Sequence, residues 1–469
     1  MEELTREDWD KIASETERVY RVNEVDIGTA YYHMPNSYFY PSFFAWDSGF
    51  QAIAMLHLDP DKAKRELETL FAQVAADGHM PHEVLIPCAA TRARTVRNFA
   101  RWIVQWEYDS NGASHMIDPP VYVYSAKLVY DKTRDKEWLA RIWPELCRAL
   151  DYLLDERNLF GDGLLAIVHP WEAGTDMSPQ LTPALGIDAS SRLDFLQTTF
   201  YAALLYRFCN RNSWDMERLA EANKFVFEDL TLNCIAIRAL MSASALAAAL
   251  DDDCAEVRYR SAALYMAGVL ERVAWDEEHG CYFPRWDVAD PRRVRVKTAA
   301  SCMPLFAGLC RPERAKRLAE EHLLNPREFH GEHLVPFNPA DELTTTRPWV
   351  EKKLWAGHCI WINFNWMMAI GLAENGYAGA ARELTLKTVR MIEQQGFWGV
   401  LRLAHRRGAP RTRLHVARAR AGHDGEVLAR SRSARISGLG RFSDTPTCPA
   451  RRALCPVRSL ARFDLVFEL

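Results

Sequence analysis

Apolar segments of helical period recur along most of the chain, and they restrict the fold more than any other feature. Asp59-Pro60 predicts a helix start, as N-cap and first-turn proline, and Ala63, Leu67, Leu70, Phe71 and Val74 supply that helix with an apolar stripe. Further helices are predicted at about 134–156, 190–210, 214–230, 232–250, 255–274, 311–322, 361–374 and 377–394. Many are apolar on more than one face, as helices packed between two layers must be. A short β-like break falls at Cys281-Tyr282-Phe283. The pattern alone supports a mostly helical chain with one large domain.

The stretch that departs most from any period is His169-Pro170-Trp171-Glu172-Ala173-Gly174-Thr175-Asp176-Met177-Ser178-Pro179. Gly and Pro punctuation around a polar run reads as a loop, and loops held by a rigid scaffold carry reacting groups. Its two carboxylates stand four residues apart beside an indole. Desolvation of a carboxylic acid against such a ring keeps it protonated near neutrality, which a general acid requires. The plainer reading is an N-cap and turn cluster serving the next helix, and spacing does not separate the two. Asn36 to Phe50 is a second informative stretch. It is dense in aromatics (Tyr40, Phe43, Phe44, Trp46, Phe50), and Pro41 and the Trp46-Asp47-Ser48-Gly49 turn are expected to interrupt any regular element. An aromatic platform beside a carboxylate suits a pyranose, whose ring faces are apolar and whose hydroxyls need acceptors. An aromatic core with Asp47 capping a helix would use the same residues.

These stretches resemble glycoside hydrolase family 63 and its mannosylglycerate and glucosylglycerate hydrolase relatives. Trp171 to Pro179 matches the W-E-S-G-x-D-x-S-P loop of that family, and Tyr40 to Phe50 its Y-P-x-x-x-x-W-D-S-x-F segment. Gly78 to His82 matches G-x-x-P-H, Ile117 to Val121 matches I-x-P-P-x, and Thr298 to Leu305 matches a T-x-x-S-x-x-P-L helix start. Trp355 to Trp366 is similar to W-R-G-P-x-W-I-N-x-N-W, with Ala356 and His358 in place of the Arg and Pro, and with the two tryptophans one residue further apart. The resemblance implies an all-α, (α/α)6 toroid and inverting hydrolysis of an α-glucoside or α-mannoside, a small intracellular solute such as mannosylglycerate or glucosylglycerate being one candidate. Asp176 would be the general acid. Tyr40, Trp46, Asp47, His82, Trp171, Glu172, Trp355, Trp361 and Asn363 would contact the sugar. His82 is as well suited to a structural role. No metal or organic cofactor is expected, because both proton transfers lie within carboxylate chemistry.

Composition changes abruptly after Trp398. Residues 399–469 hold 15 Arg, no Lys and 5 acids, a net of +10, which leaves −14 for the first 398 residues of a chain whose overall charge is −4. Trp, Tyr, Asn, Gln and Met are absent there too. Such Arg, Ala, Gly and Pro saturation is what G+C-rich coding DNA yields out of frame. After Gly-Phe-Trp the family expects Glu-Tyr-Phe-Asp-x-x-Thr-Gly, whose Glu is the general base. Written as GAG TAC TTC GAC TCG CCC ACC GG behind one extra G, Glu-Tyr-Phe-Asp-Ser-Pro-Thr-Gly reads Gly-Val-Leu-Arg-Leu-Ala-His-Arg, which is Gly399 to Arg406. A one-base insertion just after Trp398, either a sequencing error or a true frameshift, is therefore expected, dividing the chain into a catalytic domain over 1–398 and an Arg-rich, disordered tail over 399–469, with the toroid incomplete at its C-terminal end. The encoded chain would lack its base. Two alternatives follow: a catalytically dead carbohydrate-binding remnant, or a toroid with a nucleic-acid-binding tail. A nucleic-acid partner is not expected, since the tail has no Lys and no recognisable module.

The remaining bounds are brief. Met1 to Trp9 lacks the basic and apolar regions of a signal peptide, and no apolar run approaches a membrane span, so no membrane partner is expected. The 11 cysteines never form C-x-x-C and read as core thiols of a cytoplasmic protein whose partner is a small carbohydrate.

Overall fold

The computed structural model describes residues 5–37, 40–88, 108–188, 194–332, 334–342, 355, 357, 359–395 and 400–402. Apart from residues 400–402, the expected tail therefore lies outside the described residues. Thirteen α-helices follow one another among the described residues: α1 (Arg6–Asn23), α2 (Ala45–Leu58), α3 (Pro60–Phe71), α4 (Val121–Thr133), α5 (Lys136–Glu156), α6 (Asp194–Arg211), α7 (Met216–Ala222), α8 (Leu230–Ala249), α9 (Asp253–Val273), α10 (Pro304–Ala307), α11 (Pro312–Arg317), α12 (Ile362–Glu374) and α13 (Ala378–Gln395). Asp59 caps α3 as expected, its Oδ1 accepting from the N–H groups of Asp61 (3.1 Å) and Lys62 (3.2 Å). A capping box of Thr5 and Asp8 opens α1, a helix that the apolar pattern does not mark.

Helices α2, α4, α8, α10 and α12 pack side by side in that order as an inner layer, with α3, α5, α9 and α13 against their outer faces. This is the (α/α)6 toroid. Helix α8 is buried almost all round, from Leu230 to Ala247, because it lies between two layers. By length and composition α8 could cross a membrane, contrary to the expectation that no run comes close, but 72% of its apolar window is buried inside the fold. Aromatic rings fill the space between inner helices: Phe50 meets Trp366 at 5.9 Å and Tyr124 meets Phe306 at 5.9 Å. Each large apolar side chain fully withdrawn from water here contributes roughly 1.5–3 kcal/mol.

Two expectations are corrected. Trp46-Asp47-Ser48-Gly49 is not a turn but the first turn of α2. Gly49 is there for contact: a Cβ on it would stand 2.7 Å from Val121 Cγ1 and 3.0 Å from Tyr122 N, so its absence lets α2 and α4 touch. The single helix expected at 214–230 is the short α7, ended by Asn223 in the left-handed region (φ 47°), followed by a strand at Phe227–Glu228. The β-like break at Cys281 is a strand, Cys281–Tyr282, antiparallel to Trp275–Asp276. Other short antiparallel pairs join Glu24–Asp26 to Tyr31–His33, Phe43–Phe44 to Glu83–Val84, and Cys359–Trp361 to Val400–Arg402, with Trp361 opposite Val400.

Candidate active site

The two carboxylates of the 169–179 loop have separate fates. Glu172 is fully buried, and so is Arg157, whose Nη1 donates to Glu172 Oε2 at 3.0 Å while Nη2 lies 2.9 Å from Oε1. The backbone N–H groups of Val168 (2.8 Å) and Ile117 (3.2 Å) donate to the same carboxylate. Both oxygens are committed to the scaffold, so the sugar contact expected of Glu172 is corrected: this residue anchors the loop from beneath. Nor does Glu172 cap the next helix, as the plainer reading had it: its partners are Arg157 and the N–H groups of Val168 and Ile117.

Asp176 belongs to the less deeply buried half. Residues Pro170–Ala173 form a 3-10 turn, Gly174 takes φ +68°, and Ser178 N donates to Thr175 O at 2.7 Å to complete the next turn. A Cβ on Gly174 would lie 3.2–3.3 Å from three atoms of the Trp46 ring, so the loop rests on the indole face. This contact brings the first turn of α2 under the loop. Asp176 is partly buried, and loss of hydration raises its carboxyl to about 7. Asp47 is also raised to about 7, first by burial and then by the charge of Asp176. His169 is fully buried and its Nδ1 accepts from Trp171 N (3.2 Å) while its Nε2 lies 3.0 Å from Ala202 O; burial lowers it to about 4, so it is a neutral hinge pin for the loop. Gln180 Nε2 donates to Val296 O (2.8 Å) and Ser301 Oγ (3.3 Å), tying the loop to the start of the Thr298 segment.

The other expected residues are distributed around this pair. Tyr40 is exposed, its ring edge-on to Phe44 at 6.1 Å, and Phe44 in turn meets His82 at 6.1 Å. His82 Nδ1 is 2.7 Å from Ser114 Oγ, and His82 O accepts from Ala45 N at 3.0 Å, which holds the histidine loop to the head of α2. Trp171 packs edge-on to His169 at 5.0 Å. Trp355 and Trp361 lie face to face, 3.5 Å apart and 2° from parallel, at the head of α12, followed by Asn363. Trp361 Nε1 is buried with no hydrogen-bond partner among the described residues. The structure thus brings Trp46, Asp47 and Asp176 together, sets Tyr40 and His82 beside the same helix head, and places the tryptophan pair at the head of another inner helix. Ala356 and His358 lie outside the described residues.

Sequence reasoning missed Asp118. It is 5% exposed, its Oδ2 accepts from Trp46 N at 3.1 Å, and burial followed by the neighbouring carboxyls holds it well above the usual carboxylate range. The Ile-Asp-Pro-Pro stretch marks a helix entry, and the signal that its Asp faces other acids is purely tertiary. Arg157 was missed for the same reason. Among the described residues a cluster with metal-ligand geometry, Asp276, Glu278 and His279, lies elsewhere, on the Trp275–Tyr282 hairpin. Asp276 there already pairs with His279 Nδ1 and Arg295 Nε, both at 2.9 Å, so it is an ion-pair hub.

A half-buried carboxyl that keeps its proton near neutrality, on a loop that rests on an indole and beside a second acid, can donate to a glycosidic oxygen while the neighbours accept hydroxyl protons. The toroid and this site define a six-hairpin glycoside hydrolase. A family model described as the mannosylglycerate hydrolase MGH1-like glycoside hydrolase domain matches residues 40–401. The mannosylglycerate hydrolase of Thermus thermophilus is 30% identical over 384 residues, 76% of this chain and 88% of that one. The chain belongs to the MGH1-like glycoside hydrolase family. The glucosylglycerate hydrolase of Mycolicibacterium hassiacum is 24% identical over 396 residues, covering 76% of this chain and 86% of its own. Among solved structures, a family 63 mannosylglycerate hydrolase from Thermus thermophilus in complex with Tris and D-glycerate superposes with a TM-score of 0.68 at 26% identity, covering 82% of this chain and 93% of that one.

Proposed function

We propose that the catalytic domain is built for inverting hydrolysis of a small α-glycoside of glycerate, mannosylglycerate or glucosylglycerate, with Asp176 as general acid. The observation that carries this reading is Asp176 itself, raised to about 7 on a loop that is fixed from below by Glu172 and rests on Trp46. Its O–H would protonate the leaving oxygen as the bond to C1 breaks. A second carboxylate, on the opposite face of the sugar and about 6.5–9.5 Å away, would take a proton from the attacking water. The substrate class rests on relatives named as mannosylglycerate and glucosylglycerate hydrolases and on one solved with D-glycerate. The reading places the enzyme in the cytoplasm with its solute.

The encoded chain has Gly399 where the base is expected, immediately before Val400, which pairs with Trp361. The reading therefore includes a single-base insertion after codon 398, and the chain as encoded binds its sugar without turning it over. The test is to resequence the DNA across codons 390 to 420, delete the extra base, and assay both forms on the two glycosides, following the first-formed anomer by NMR. Restored turnover with inversion supports the proposal. A frame-restored protein that hydrolyses neither compound sinks the substrate assignment, a retained anomer sinks the mechanism, and turnover by the encoded chain sinks the missing base.

A further inference from the structure

Residues before Tyr40 precede the region matched to the family, residues 40–401, yet they reach the helix that carries Trp46 and Asp47. The strand Tyr31–His33 lies across α3. Tyr31 N donates to Thr69 Oγ1 at 2.8 Å, and His33 N donates to Glu66 Oε1 at 3.2 Å. Glu66 and Thr69 stand three apart on one side of α3, and both are buried. The other Glu66 oxygen is 2.6 Å from His33 Nδ1. Glu66 and His33 are 0% and 1% exposed, so a complete polar pair sits where apolar residues would have packed. Gln51 of α2 joins it: with its amide nitrogen turned inward, it donates to Glu66 Oε1 (3.0 Å) and to His33 O (2.8 Å). The His33 ring is held edge-on by Tyr20 of α1 at 4.8 Å and by Tyr31 at 5.4 Å.

A buried carboxyl with several N–H donors is a fixed point, because withdrawing any donor leaves a polar group unsatisfied in apolar surroundings. Gln51 stands one helical turn from Asp47, and side chains four apart project from the same face of a helix. The charge of Glu66 raises Asp47, after burial and Asp176, so the pair lies close to that carboxyl. We propose that His33 and Glu66 are a positioning pair for the sugar site, fixing through Gln51 the turn of α2 that carries Trp46 and Asp47. The proposal rests on the reading that Trp46 and Asp47 contact the sugar; the pair itself touches no substrate. A side-chain oxygen roughly 6 Å from a helix axis moves about 1 Å for a 10° rotation, enough to break a hydrogen bond that must lie within about 2.7–3.2 Å. The N-terminal segment therefore sets where Asp47 meets a hydroxyl.

Calorimetric titration of the full chain with mannosylglycerate and glucosylglycerate, beside hydrogen exchange of residues 45–51, tests this with three variants. His33→Leu keeps bulk and loses the donor. His33→Asn is smaller but carries an amide N–H near the place of Nδ1. Gln51→Leu cuts the tie to α2 and leaves His33 and Glu66 paired. His33→Leu and Gln51→Leu should weaken sugar binding about 10-fold or more, the worth of one hydrogen bond to a charged group. Both should speed exchange at 45–51 while α8 exchanges as before, and the double variant should lose no more than the worse single, since the two act in one chain of contacts. His33→Asn should bind within about threefold of the parent. A packing role predicts the reverse order, with Leu tolerated and Asn not. That order, additive losses, or unchanged exchange at 45–51 overturns the proposal. If His33→Leu melts early, Gln51→Leu decides alone. If the unaltered chain binds neither glycoside, the substrate reading fails, and the exchange of residues 45–51 decides the positioning role by itself.

Discussion

Replacing Glu172 by Gln isolates the part of the loop that chemistry does not use. The side chain keeps its size, but its negative charge goes, and one acceptor becomes an N–H pointing at N–H donors. Arg157, also fully buried, then has no counter-charge. Removing one member of a buried pair costs about 3–5 kcal/mol, much of it the desolvation of the charge left behind. For a domain on the order of 400 residues, unfolding entropy of ~2.1 cal/mol/K per residue amounts to about 0.8 kcal/mol/K, so the midpoint falls by about 4–6 °C. Differential scanning calorimetry at one scan rate, variant against parent, reads this directly. Because Val168 N and Ile117 N also donate to Glu172, the variant should loosen the hinge of the Asp176 loop and weaken sugar binding as well. A midpoint within 1 °C of the parent would refute the reasoning, since it would mean the charge is hydrated or replaceable.

Asp176→Asn in the frame-restored protein should cost about 10²–10⁴ in kcat while leaving sugar affinity in place, as measured by turnover and calorimetric titration; equal losses of both would make Asp176 a binding residue instead. In the same protein the alkaline limb of kcat should fall near pH 7, since Asp176 acts as an acid and its carboxyl is raised to about 7; a limb two units higher assigns the proton to another group. Asp47 and Asp176 both bind protons more tightly folded than unfolded, so their contribution to stability is complete below about pH 4 and lost as pH rises through about 7. Urea midpoints should therefore decline over that window, and the Asp47→Asn, Asp176→Asn double variant should flatten the decline. Gly174→Ala should lose about 1–2 kcal/mol from its left-handed backbone alone, with further loss from a Cβ pressed on Trp46; an unchanged urea midpoint would show that the loop does not rest on the ring.

The helices were legible where caps and period agree. Asp59-Pro60 starts α3 because a carboxylate and a proline satisfy the first turn locally, with no help from the rest of the fold. Gly49 misled because glycine in a sequence signals a turn, whereas here it marks two inner helices in contact, a fact that belongs to Val121 seventy-two residues away. Asn223 ends α7 by taking a left-handed conformation that most residues avoid, but asparagine inside a helical run is too common to announce it. At the site, motif likeness located the loop but could not divide its labour. Glu172 and Asp176 look equivalent as a pair of acids. Arg157, which neutralises one of them, and Trp46, on which the loop carrying the other rests, come from distant segments. Asp118 was invisible for the same reason.

Val400 to Arg402 pairs with Cys359 to Trp361, so the chain returns to the head of α12, and position 399 immediately precedes the residue that pairs with Trp361. A glutamate at that position would bring a carboxylate to the strand pair beside the stacked tryptophans, whereas glycine supplies no proton acceptor. Helix α1 carries the complementary sign. It has eighteen residues and a full capping box, yet Ala13 is its one buried residue, while α3 buries six in twelve. Lys11 reaches Glu393 on α13 at 3.3 Å, which sets α1 beside α13. Under the proposed insertion, the inner helix that would cover α1 is the one the restored frame encodes after position 399. Under the proposed one-base insertion, loss of the base and loss of the last inner helix would be one event, and resequencing codons 390 to 420 tests both together.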